Sequence, residues 1–172
     1  MDIEKIKIEE SAKLLKIELN GSGGYIILSA DDPKLFDRFA IGFNQIMDMA
    51  EEMPKRLDEI EKQYSERDDF KAVLEKTTAM SKVNVKFSED AVEIIDGIFG
   101  VGTIKKYFAE IYKEIPDFLP DSDCIIDFLE KITPIVEKSF DRKLKNRKAR
   151  MAKYQPQDHK KPSSRTTKAS NK

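Results

Sequence analysis

The sequence predicts an α+β fold that is mostly α. It comprises a small N-terminal antiparallel β-hairpin or three-stranded sheet, four to five helices, and a disordered basic C-terminal tail. Three observations predict it. Between residues 3 and 29 apolar and charged residues alternate, the period of a half-buried strand. From Phe36 onward the apolar residues recur every three or four positions, which is helical spacing. Beyond Leu144 that stripe stops and Lys and Arg replace it.

The charge is divided in the same way. The formal net charge is −1, yet residues 142–172 hold 12 Lys/Arg against one acid, Asp158. Residues 1–141 hold 19 bases against 31 acids. The reading is a single acidic α-rich domain over 1–144, with strands within 3–29 and helices within 32–144. A basic helix extension and disordered tail follow over 145–172.

Composition removes several classes. No apolar run approaches the length of a membrane span. The acidic, polar start Met1-Asp2-Ile3-Glu4 does not read as a signal peptide. Cys124 is the only cysteine, so no internal disulfide forms, which fits a reducing cytosol. With His159 as the only histidine, the usual zinc sites are excluded.

Taken in order, Ile6 and Ile8 alternate with lysines and suggest a first strand. Leu15, Ile17 and Leu19 alternate with Lys16 and Glu18. Asn20-Gly21-Ser22-Gly23-Gly24 forms a turn, and Tyr25–Ser29 returns as an apolar strand. No Lys-Ser/Thr follows those glycines and no helix opens there, so they are not a phosphate loop.

Asp32 and Pro33 suit the N-cap and first position of a helix. Its apolar seam runs from Phe36 through Phe43 and Met53 to Tyr64 in alternating steps of three and four. Pro54, inside the seam, predicts a kink or break. The first half is broad enough for a globular core. The second half is a thin seam between charged flanks: Met53, Leu57, Ile60 and Tyr64, the candidate partner-binding residues. A second helix over about 68–82 carries Phe70, Val73, Leu74 and Met80, making a charged helical hairpin with the first. Residues 83–87, Val-Asn-Val-Lys-Phe, lean towards β and read as a linker. Ser88 then caps a helix bearing Val92, Ile94, Ile95, Ile98 and Phe99.

Gly97, Gly100 and Gly102 break the chain into a corner, with Thr103 as cap of the next helix. Their spacing, after a helix rather than a strand, is not a dinucleotide fingerprint. Ile104, Tyr107, Phe108 and Ile111 suggest one short amphipathic helix. A loop over 114–122 leads to a last helix that begins near Ser122 and is kinked at Pro134.

No catalytic residue, cofactor or metal site is expected. The acids fall on charged surfaces or at helix starts, where the macrodipole favours them. Cys124 opens a helix, but Asp121 and Asp123 oppose thiolate formation, and it reads as a partly buried structural cysteine. The tail lacks interleaved aromatics after Tyr154, so it reads as solvated or protein-binding rather than nucleic-acid-binding.

The run Phe99-Gly100-Val101-Gly102-Thr103, followed by Phe108, Asp127-Phe128-Leu129 and Thr133-Pro134-Ile135, resembles the C-terminal half of tail assembly chaperones of long-tailed bacteriophages infecting Gram-positive hosts. The detailed match spans about 88–138. Phe99, Gly100, Gly102 and Thr103 are the family-motif residues. Val101 stands where an acidic or polar residue is expected.

The resemblance implies a non-enzymatic chaperone. It would bind the tape-measure protein and tail-tube subunits in the host cytoplasm and leave before the virion is mature. A homo-oligomer through free sheet edges is a further expectation. The alternative is a small adaptor that binds nucleic acid or an acidic partner through its basic tail.

Overall fold

The computed structural model describes residues 14–19 and 24–153. The suggested strand around Ile6, most of the glycine-rich turn and the tail beyond Lys153 lie outside the described residues.

Strands β1 (Leu14–Leu19) and β2 (Gly24–Ser29) pair antiparallel, with Ile17 opposite Ile26 and Leu15 opposite Leu28. Alternation sends Ile17, Leu19, Ile26 and Leu28 into the core. It leaves Leu14, Tyr25 and Ile27 on the outer face, where the Lys16 ammonium lies 3.9 Å from the Tyr25 ring centroid.

Helix α1 (Pro33–Gln63) starts as its sequence dictates, with the Asp32 carboxylate accepting from the Lys34 amide at 2.9 Å and Pro33 at the first turn. It remains one helix through Pro54, so the expected break is absent. Pro54 is exposed, and the single hydrogen bond it removes is borne by a helix held on both sides of it by neighbouring turns.

Helix α2 (Phe70–Phe99) starts at Asp69, whose carboxylate accepts from the Ala72 amide at 3.0 Å. It corrects the sequence reading in two places. Residues 83–87 are not a linker, and Ser88 caps nothing; both lie inside one continuous helix. The weak helix propensity of Val-Asn-Val-Lys-Phe amounts to a few tenths of a kcal/mol per residue. Burial of Phe87 against the core outweighs it.

Helices α1 and α2 form an antiparallel hairpin. A Cβ placed on Gly42 of α1 would lie 2.6 Å from Ile98 Cδ1 and 2.8 Å from Ile94 Cγ2 of α2, so glycine sets the close approach there. Further along, Met49 and Met53 share a cleft with Val83 and Phe87, and Glu61 pairs with Lys76 near the tip.

The expected single helix after the corner is instead two short ones, α3 (Thr103–Tyr107) and α4 (Ala109–Glu114), separated at Phe108. Phe108 packs its ring edge-on to both Tyr107 and Phe118. Helix α5 (Ser122–Lys153) runs unbroken through Pro134, again without a break. Pro134 is exposed, as is Glu130, the residue whose carbonyl loses its helical partner.

One core joins β1, β2, the first half of α1, the second half of α2, α3 and α5. Ile46, Ala91, Ile95, Ile104 and Ile125 are fully enclosed within it. No helix among the described residues is long and apolar enough to cross a membrane.

Candidate docking surfaces around the glycine corner and the helical hairpin

The corner is a hydrogen-bonded device. Gly100 and Gly102 take φ of 108° and 79°, which side chains rarely adopt. The Asp96 carboxylate reaches forward from the last turn of α2 and accepts from the Gly102 amide at 2.8 Å and the Thr103 amide at 3.0 Å. Asp96 is therefore the cap of α3, a role the sequence reading gave to Thr103. Thr103 instead closes the corner from within. Its hydroxyl donates to the Gly100 carbonyl at 2.6 Å, and it is completely buried. The signal available in the sequence was an acid four residues before Gly100.

Phe99 anchors the corner to the core. Its ring meets Phe39 of α1 and Phe128 of α5, each at 6.0 Å between centroids. Phe128 continues to Tyr107 at 5.0 Å. The motif residues Phe99, Gly100, Gly102 and Thr103 are thus brought together, and they act on the fold rather than on solvent.

The titratable groups nearby are accounted for by local partners. The Tyr107 hydroxyl donates to Asp127 at 3.3 Å, and the Lys131 ammonium donates to both. The bond from Lys131 holds the Asp127 carboxyl below its ordinary range, and Lys131 is correspondingly raised. Burial pushes the Tyr112 hydroxyl up, with the Asp96 charge adding to it. Burial also raises the Cys124 thiol, and Asp121 raises it further, so this thiol is a poor nucleophile at neutral pH. Among the described residues no group of three or more His, Cys, Asp or Glu is placed to hold a metal ion.

The seam Met53, Leu57, Ile60 and Tyr64 lies half-buried along α1. Met53 packs against the core and shares its cleft with residues of α2. The stripe then continues to the turn where Glu61 meets Lys76. Its first neighbour is therefore α2 of the same chain.

Helix α2 has its own phase. Ala72, Met80, Val83 and Phe87 turn inward, whereas Phe70, Val73 and Leu74 do not. Phe70 is 78% exposed, Val73 50% and Leu74 52%. The sequence reading assigned these three and Met80 to the second helix of the hairpin without separating their faces; the offset of the three from the Ala72–Val83–Phe87 spacing separates them.

A third feature is an open apolar groove of about 520 Å³ beside the corner, lined by Val92, Gly97, Val101 and Leu119 with Glu89 and Glu93 at its rim. No protein-family model, curated protein or solved structure matches this chain.

Proposed function

We propose that this protein is a non-enzymatic assembly chaperone of the phage-tail kind. It holds a long helical tape-measure protein, recruits tail-tube subunits in the host cytoplasm, and is absent from the finished virion. The resemblance at the corner motivates the reading. The observation that carries it is the apolar triad Phe70, Val73 and Leu74 on the open face of a projecting helical hairpin. A client helix with an apolar stripe can lay it along such a face, and the surrounding charges keep the free protein from clumping. The seam Met53, Leu57, Ile60 and Tyr64 serves the same client where the hairpin opens. The outer strand edges of β1 and β2 offer backbone groups to a further copy.

Co-expression with a tape-measure-like coiled-coil protein tests the reading. The client is expected to become soluble and to co-purify with this protein. A client that stays insoluble overturns it.

A second reading has its own observation. Helix α5 carries Arg142, Lys143, Lys145, Arg147 and Lys148 with no acid beyond Asp141. Such a helix suits nucleic acid or an acidic partner. DNA binding that weakens steeply with salt and disappears on deleting 142–172 would favour it.

A further inference from the structure

Among the described residues the groove beside the corner has no occupant, and its construction is selective. Val92 and Gly97 of α2 line it together with Val101 and Leu119 from beyond the helix. Val101 is 89% exposed, held out between two glycines of positive φ.

Gly97 needs no special backbone conformation, and a Cβ there would meet nothing within 4 Å. Glycine inside a helix costs about 0.5–1 kcal/mol relative to alanine. The fold thus carries a glycine that its own packing does not require. What the glycine does provide is an open floor against which another chain can approach closely.

The rim supplies the sign of the partner. Asp96, which lines the groove, is committed to the corner amides, and Asp90, outside it, pairs with Lys86. Glu89 and Glu93, one turn apart on the same face, form no ion pair among the described residues; they act on Lys86 only through space. An apolar trough lined by two carboxylates that form no ion pair among the described residues is complementary to an apolar side chain flanked by lysine or arginine.

We propose that this groove docks a basic amphipathic helix of the protein's client. An apolar residue of that helix seats over Gly97 between Val101 and Leu119, and its cations face Glu89 and Glu93. The inference rests on the chaperone reading and adds the chemistry of the client segment.

The probe is a synthetic helical peptide of about four turns, with leucines at helical spacing and lysines on the flanks. A control peptide carries glutamate at every lysine. Binding is read by fluorescence anisotropy on the full chain and by the amide resonances of Gly97 and Val101. The lysine peptide is expected to shift both resonances, with an affinity that falls as salt rises, and the glutamate peptide to leave them unchanged.

A Cβ at Gly97 meets nothing within 4 Å, so Gly97→Leu is expected to fill the floor and keep the fold. It should melt no lower than the wild type and lose roughly tenfold in affinity, the scale of a central contact. Glu89→Gln with Glu93→Gln should lower both the affinity and its salt dependence. Equal binding of the two peptides, or undiminished binding to folded Gly97→Leu, overturns the proposal. Self-association of the free protein that Gly97→Leu abolishes would assign the groove to a second copy and likewise overturn it. A Gly97→Leu protein that still keeps the coiled-coil client soluble removes the groove and leaves the chaperone reading standing.

Discussion

The two ends of the α1–α2 hairpin rest on different interactions. At one end Leu35, Ile46, Ala91, Ile95 and Phe99 are buried against β2, α3 and α5. At the other, between residues 47 and 86, Ala72 is the only fully buried described residue. What holds that end is a half-buried seam and ion pairs such as Glu61–Lys76 and Arg67–Glu75. Exposed pairs of this kind contribute about 0–1 kcal/mol each, whereas fully burying one large apolar side chain is worth about 1.5–3 kcal/mol. One pair of helices thus carries a firm scaffold at one end and a weakly held, partly apolar surface at the other. Regions that open or bind are drawn from the weakly held end of a structure.

The largest effect that would sharpen this contrast is Phe99→Ala. It removes a ring packed between Phe39 and Phe128 and should cost about 3–5 kcal/mol in denaturant unfolding. Unfolding should be global, with the corner and α5 lost together. A cost below about 1 kcal/mol, the scale of an ordinary surface change, would contradict the corner's role as scaffold.

Gly42→Ala comes next. The added methyl meets Ile94 and Ile98 where α1 and α2 approach closely, and about 1–3 kcal/mol of overpacking is expected from thermal melts. A stabilised variant would show that the crossing has slack.

Leu57→Asp places a charge on the thin seam. It should loosen the hairpin by about 1–2 kcal/mol, seen as faster proteolysis near residues 64–69, and leave the core folded. Global unfolding of this variant would merge the two regions into one.

The smallest effect belongs to Asp121, which caps α5 by accepting from the Cys124 amide at 2.9 Å. Asp121→Ala should cost about 1 kcal/mol at neutral pH. The amide bond lowers the Asp121 carboxyl, so its contribution is present above the ordinary carboxylate value of about 4. It is lost as the pH falls through the lowered folded value, and the variant should converge with the wild type in acid. The Cys124 thiol should also titrate lower once the neighbouring charge is gone.

These contrasts explain what the sequence could and could not reveal. The β-hairpin followed from alternation, because Ile17 and Ile26 face a core while Lys16 and Tyr25 face water. The starts of α1 and α5 followed from Asp32-Pro33 and the acids around Ser122. Residues 83–87 misled because local propensity is weak beside the burial of Phe87, and burial depends on α1, which is distant in sequence. Of the kink or break expected at Pro54 the break is absent, and α5 is continuous through Pro134, because the lost hydrogen bonds fall on exposed positions, where a helix tolerates them. Phe70, Val73 and Leu74 were assigned to a helix but not to a face of it; the phase of their neighbours shows them outward. The groove at Gly97 was not legible at all, since it joins α2 to Leu119 across the corner.

Native-state hydrogen exchange on the full chain tests the central contrast most directly. Amides of residues 72–82 are expected to open at a markedly lower free energy than those of residues 91–98, and the coiled-coil client is expected to narrow that gap by protecting the first set. Uniform protection along α2, or a gap unchanged by a bound client, would contradict the account.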